Sequence, residues 1–217
     1  MSGSPDPAPP ATYADFAGRD LGRIAALSDG IFAVAMTLLI LDIRTPEAGG
    51  VETEWELAAA LAGLAPKFLT WILSALTLGI FWLGQQVQLE NLAKSDRNLS
   101  WLHYLFLGAI TLLPFSTRLL SEFFTFRVAL VVYWANILAC GAALYLCWRY
   151  GERAGLVRPD APPTLGRAVR RRIVIAQAVY FVAALVGLLR PTIGVVLIIA
   201  LQLTYAFSLP LPRRWRH

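Results

Sequence analysis

The sequence predicts an all-α fold, a polytopic membrane protein with six transmembrane helices, on three observations. The first is composition: of 217 residues, 57% are hydrophobic and only 15% are charged, whereas a soluble domain is nearer half apolar and a quarter charged. The second is that apolar runs of span length recur along the whole chain. The third is that Lys and Arg fall with a strong bias on alternate sides of those runs. A bilayer core of roughly 30 Å takes about 20 apolar residues per helix, so about five or six such segments use most of this length. No separate soluble domain fits beside them.

Residues 1–18 are rich in Pro, Ser and Ala and hold no apolar run. They read as a flexible tail and lack the basic start and apolar core of a cleavable signal peptide. The first apolar run, Ile24 to Ile43, carries two acids, Asp29 and Asp42, and an acidic stretch with Glu47, Glu52, Glu54 and Glu56 follows it. Further runs lie at 68–88, 100–120, 127–148, 173–190 and 192–210. The last two are divided by Leu189-Arg190-Pro191. Proline disfavours helix in the residue before it and suits the first position of a new one, so a tight helical hairpin fits better than one overlong span. The parts are therefore a tail at 1–18, a six-helix transmembrane domain at 19–212 and a basic tail at 213–217.

Orientation follows from the basic residues. One side holds 14 of them: Arg19, Arg23, Lys94, Arg97, Arg149, Arg153, Arg158, Arg167, Arg170, Arg171, Arg172, Arg213, Arg214 and Arg216. The other side holds five, namely Arg44, Lys67, Arg118, Arg127 and Arg190. The positive-inside rule places the richer side, with both termini, in the cytoplasm, and the expected location is the cell (inner) membrane, as a multi-pass protein. This topology accounts for the net charge of +5 without a nucleic-acid partner. It also accounts for the Arg-rich loop at 149–172, which anionic head groups would otherwise explain. Cys140 and Cys147 lie seven apart on one helix face within an apolar run, and read as packing or lipid-facing residues rather than a disulfide or metal pair.

The first run carries the unusual residues. Ionisable side chains at membrane depth are costly and face protein or water, which makes Asp29 a functional candidate. Asp29 follows Arg23 by six residues, about 600° around a helix, so the two do not pair within it. Their partners lie on other helices or other subunits, unless Asp29 sits at headgroup level as a cap. Ala25, Ala26 and Gly30 beside Ser28 and Asp29 allow a close helix approach. Beyond them Ile31, Val34, Leu38 and Leu41 fall at spacings of three and four on one face. Such a stripe lines an axis, or packs on lipid or core.

Arg23 with Ser28-Asp29, then an apolar helix with Thr37-Leu38-Leu39 and Pro46 beyond its end, resembles the transmembrane protein 175 family of potassium channels. The family signature is an Arg followed by Phe-Ser-Asp, and Leu27 stands here at the Phe position. Phe81-Trp82 and Leu113-Pro114-Phe115 resemble further family segments, while Gln85-Gln86 occupies positions where the family often has histidines. The resemblance implies six helices per subunit, assembled as a homotetramer with the first helices around one pore. It carries the hydrophobic constriction over to Val34, with Leu38 and Leu41 as further rings and Ile31 on the same face. A ring of branched side chains offers no substitute ligands, unlike a carbonyl filter, and favours the ion that is cheapest to dehydrate. Potassium then passes over sodium with modest selectivity. Thr37 is placed either toward the pore or toward its own helix backbone. Arg23, Ser28 and Asp29 become structural polar residues with Trp82 and His103 as partners, and the permeant potassium ion, the bilayer and further copies of the chain are the expected partners.

Two other classes compete. A proton- or cation-coupled secondary transporter would use a carboxylate such as Asp29, but the sequence lacks charge or broken helices near mid-membrane, Pro114 being the exception among prolines that fall mostly at span ends. An enzyme would need a nucleophile, metal cluster or paired acids, and two His and two Cys without metal-ligand spacing supply none. No cofactor is expected.

Overall fold

The computed structural model describes residues 20–207. The expected tails at 1–18 and 213–217 lie outside them. The described residues form α1 (Leu21–Ile40), a 3-10 turn (Ala48–Gly50), α2 (Glu54–Gly63), α3 (Ala65–Glu90), α4 (Arg97–Thr111), α5 (Leu113–Glu122), α6 (Arg127–Arg153), α7 (Leu165–Leu189) and α8 (Pro191–Phe207). Among the described residues, five segments are long and apolar enough to cross a membrane: α1, α3, the α4–α5 stretch, α6 and α7. The sixth expected span corresponds to α8, of which 17 residues are described.

Chain signals explain the helix ends. Asp20 caps α1 by accepting from the backbone N–H groups of Gly22 and Arg23. α2 lies within the connection after the first span, where an acidic link was expected. It starts on a capping box in which the Thr53 side chain accepts from Glu56 N–H and the Glu56 carboxylate accepts from Thr53 N–H. The backbone N–H groups of Glu52 and Thr53, both donating to it, hold the Glu56 carboxyl below its usual value. The expected run at 100–120 is broken at Leu112, between α4 and α5. Pro114 lacks an N–H and its ring crowds the preceding turn. Asn136 of α6 answers the break from outside, its Nδ2 donating to Ala109 O at 2.8 Å. Lipid offers no water for such a carbonyl, so a neighbouring side chain must supply the donor.

The helices pack around a core that includes Leu73, Leu78, Phe106, Ile110, Leu130, Tyr133 and Ile137. α6 runs beside α4, α5 and α7, whereas α1 packs against α3, α4 and α5. Cys140 and Cys147 are both buried and unpaired. At the Arg-rich end, the turns after α3 and α6 meet in an antiparallel bridge between Leu92 and Val157, with Ala93 N–H donating to Leu156 O at 2.8 Å and Arg158 N–H to Asn91 O at 2.9 Å.

The α7–α8 hairpin turns at Arg190, whose backbone is extended. Its helices come together at Gly187 and Gly194, where a Cβ on Gly194 would meet the Gly187 Cα at 2.5 Å. Backbone there cannot yield as a flexible side chain does. Gly194→Ala is expected to cost about 1–3 kcal/mol through overpacking and to lower the thermal unfolding midpoint in detergent; an unchanged midpoint would contradict this close approach.

Candidate functional site: the first helix and its polar anchors

α1 has two faces of opposite character. Ser28, Phe32, Ala35 and Leu39, spaced by three and four, are buried against the bundle. On the other face Val34 is 57% exposed, Leu38 47% and Leu41 70%, against 3% for Phe32, Ala35 and Leu39. Leu27, one heptad before Val34, extends the exposed stripe by two turns. Ile31 is half-buried at the edge of the core, so it borders the stripe. The Thr37 hydroxyl donates to Val34 O at 2.8 Å on the exposed side, and thus its hydrogen bond goes to its own helix. A groove of about 390 Å³ runs beside the stripe, lined by Leu27, Ile31, Val34 and Leu38 together with Thr111 and Pro114 at the α4–α5 break.

Polar side chains tie α1 to the bundle at both ends. At the Arg-rich end, Ser28 Oγ donates to Ile24 O at 2.8 Å and accepts from Gln85 Nε2 at 2.9 Å. Both residues are fully buried. Asp29 Oδ1 accepts from Trp82 Nε1 at 2.8 Å and from Gln86 Nε2 at 3.1 Å. At the far end, Asp42 Oδ2 accepts from Ser121 Oγ at 2.8 Å, and Arg118 Nε lies 3.4 Å from Asp42 Oδ1. One helix is thereby tied to α3 at one end and to α5 at the other.

Of the five expected polar residues, Ser28, Asp29 and Trp82 come together, and two do not join them. Arg23 is exposed, with no side-chain hydrogen bond or ion pair among the described residues. His103 is buried, its Nδ1 lies 3.0 Å from Leu99 O, and its Nε2 has no partner. The positions of those two are taken by Gln85 and Gln86, which the sequence marked only as departures from histidine. A second buried cluster had no single conspicuous residue to reveal it. Ser74 Oγ lies 2.6 Å from Thr117 Oγ1 and donates to Tyr133 Oη at 3.2 Å, Thr77 Oγ1 lies 3.1 Å from Tyr133 Oη, and Gln202 Nε2 donates to Thr77 Oγ1 at 2.5 Å and to Tyr180 Oη at 3.3 Å. It links α3, α5, α6, α7 and α8 within the apolar interior.

A family model described as the endosomal/lysosomal potassium channel TMEM175 matches residues 23–114, the stretch from Arg23 through Pro114. A potassium channel of Streptomyces collinus is 34% identical over 166 residues, covering 73% of this chain and 78% of that protein. The chain belongs to the TMEM175 family of potassium channels. The crystal structure of a lysosomal potassium-selective channel TMEM175 homolog from Chamaesiphon minutus matches with a TM-score of 0.73 at 28% identity, over 86% of this chain and 96% of that one. The human endosomal/lysosomal proton channel TMEM175 is 33% identical over 106 residues, 46% of this chain and 21% of its own length. In this TMEM175-family chain, the matched segment holds both faces of α1 and every side chain that anchors its buried face, except the Asp42 partners Arg118 and Ser121.

The Ser28–Gln85 bond is open to a direct test. Ser28→Ala leaves a fully buried amide N–H without an acceptor, at about 1–3 kcal/mol. Thermal unfolding in detergent should show that loss, and Ser28→Ala with Gln85→Leu should lose less than the two single changes together. Additive losses would mean that the two side chains do not act on each other.

Proposed function

We propose that the protein is a potassium channel, modestly selective over sodium, whose pore is lined by α1 from each of four subunits. The observation that carries this reading is the exposed apolar stripe of Leu27, Val34, Leu38 and Leu41 on a helix whose opposite face is buried and hydrogen-bonded. The families of names attached to its relatives, and the match to a potassium-selective channel structure, support cation conduction. Val34 forms the narrowest ring in this proposal, Leu38 and Leu41 the next ones, Ile31 supports the stripe from the bundle side, and Thr37 stays bonded to its backbone. The groove beside the stripe receives the neighbouring subunit's first helix. α8 completes six spans, and both termini face the cytoplasm across the inner membrane.

Apolar rings replace none of the water around an ion, so each ion crosses at a cost set by its own dehydration. Sodium holds its water more tightly than potassium, and the difference is a modest preference rather than the strict one of a carbonyl cage. Asp29 does not serve the ion in this scheme. Its carboxylate already accepts two hydrogen bonds from Trp82 and Gln86, a use that suits a structural anchor better than the proton-loading group of a coupled transporter.

Potassium flux into liposomes carrying the purified protein tests the proposal. Flux should run without a proton gradient and exceed sodium flux, and Val34→Asn or Leu38→Asn should move the potassium-to-sodium ratio toward one. Flux that requires a proton gradient and ignores both substitutions would place the activity at Asp29 as a transporter.

A further inference from the structure

At the Arg-rich end, the last turns of α6 and the first turn of α7 enclose a cleft of about 320 Å³. Trp148, Glu152, Arg158, Arg167 and Arg170 line it, together with Gly166 at the start of α7. No residue of α1 and none of the anchors described above lines it. Two of its three guanidinium groups are already matched. Arg170 pairs with Glu152, and Arg158 pairs with Asp160 at 3.1 Å. The Glu152 carboxylate packs against Gly166, where a side chain on that residue would collide with it. Arg167 is exposed and makes no ion pair or hydrogen bond among the described residues, so it is the surplus positive charge of the cleft. A second, independent feature belongs to another residue that lines the cleft. Trp148 is 1% exposed, and its indole N–H finds no acceptor. A buried donor without a partner is expensive, and native structures seldom leave one.

We infer that this cleft binds a phosphate group, with Arg167 as its cationic ligand and Trp148 Nε1 as a buried donor. Phosphate oxygens accept from guanidinium in charge-assisted bonds, and they supply the acceptor that the indole lacks. α7 also begins there without any side-chain cap. A Trp near the end of a spanning helix stands at headgroup depth, so an anionic lipid reaches the cleft from the bilayer side, as soluble phosphate does from the water. Bound there, the phosphate bridges the end of α6 and the start of α7 at a point that Glu152 and Arg170 already join.

Native mass spectrometry of the full chain in detergent tests this, with phosphatidylglycerol, phosphatidylcholine and inorganic phosphate as probes. The wild type should retain phosphatidylglycerol roughly tenfold better than phosphatidylcholine, and Arg167→Gln and Trp148→Phe should each remove most of that preference. Arg153→Gln, an exposed change on the same end but outside the cleft, should leave it intact. Inorganic phosphate that binds as well as the lipid, with the same dependence on Arg167, keeps the phosphate site and assigns it to the soluble ion. Equal losses in Arg153→Gln and Arg167→Gln would overturn the site in favour of diffuse surface attraction, and so would retention that neither cleft substitution changes.

Discussion

A helix in hydrocarbon has to find partners for its polar side chains inside the protein, and for α1 those partners exist at one rotational setting. Ser28 meets Gln85, Asp29 meets Trp82 and Gln86, and Asp42 meets Ser121. Each residue along a helix turns the side-chain direction by about 100°, so a slip of one position would strand Ser28 and Asp29 together and displace Asp42 just beyond the helix end. Interhelical hydrogen bonds in membranes average only about 0.6 kcal/mol. Their sum over α1 is small beside the packing of the bundle. Its effect is on orientation: the anchored setting sends Leu27, Val34, Leu38 and Leu41 away from the core of the helix bundle.

The two ends of α1 were unequally legible in the sequence. Asp29 announces itself as a charge inside an apolar run, and Trp82 enters through the family resemblance. Gln85 and Gln86 looked like losses, because they stand where histidine is common, yet amides keep the donors that Ser28 and Asp29 need. They exchange a titratable contact for one that holds its form across neutral pH. Asp42 showed only as an acid at the end of the run, since Arg118 and Ser121 are remote in sequence. The buried cluster of Ser74, Thr77, Thr117, Tyr133 and Gln202 was hidden for a similar reason. Isolated hydroxyls on separate helices carry no periodic signal, and only folding brings them within reach.

Of the architecture, the apolar runs and the hairpin at Pro191 could be read directly, as hydrophobic length and proline chemistry demand. The break at Leu112 follows from Pro114, and its repair by Asn136 does not, because it depends on which helix lies alongside. α2 carries a capping box in Thr53 and Glu56, but its ten residues are too short for a span and its start lies inside an acidic stretch that reads as a link. Arg23 and His103 do not join the other three within the single chain: Arg23 is exposed and His103 bonds its own helix.

The proposed pore rests on that one rotational setting, because apolar rings form only if the stripe faces the pore axis. Cysteine substitution along α1 measures it directly. The native Cys140 and Cys147 are buried, so a thiol reagent applied to the conducting protein should react first with the introduced thiols. The expected result is block of potassium current in Leu38→Cys and Leu41→Cys, with none in Ala35→Cys or Leu39→Cys. Block at Ala35→Cys or Leu39→Cys, with the stripe positions silent, would contradict the orientation of α1 and with it the proposed pore.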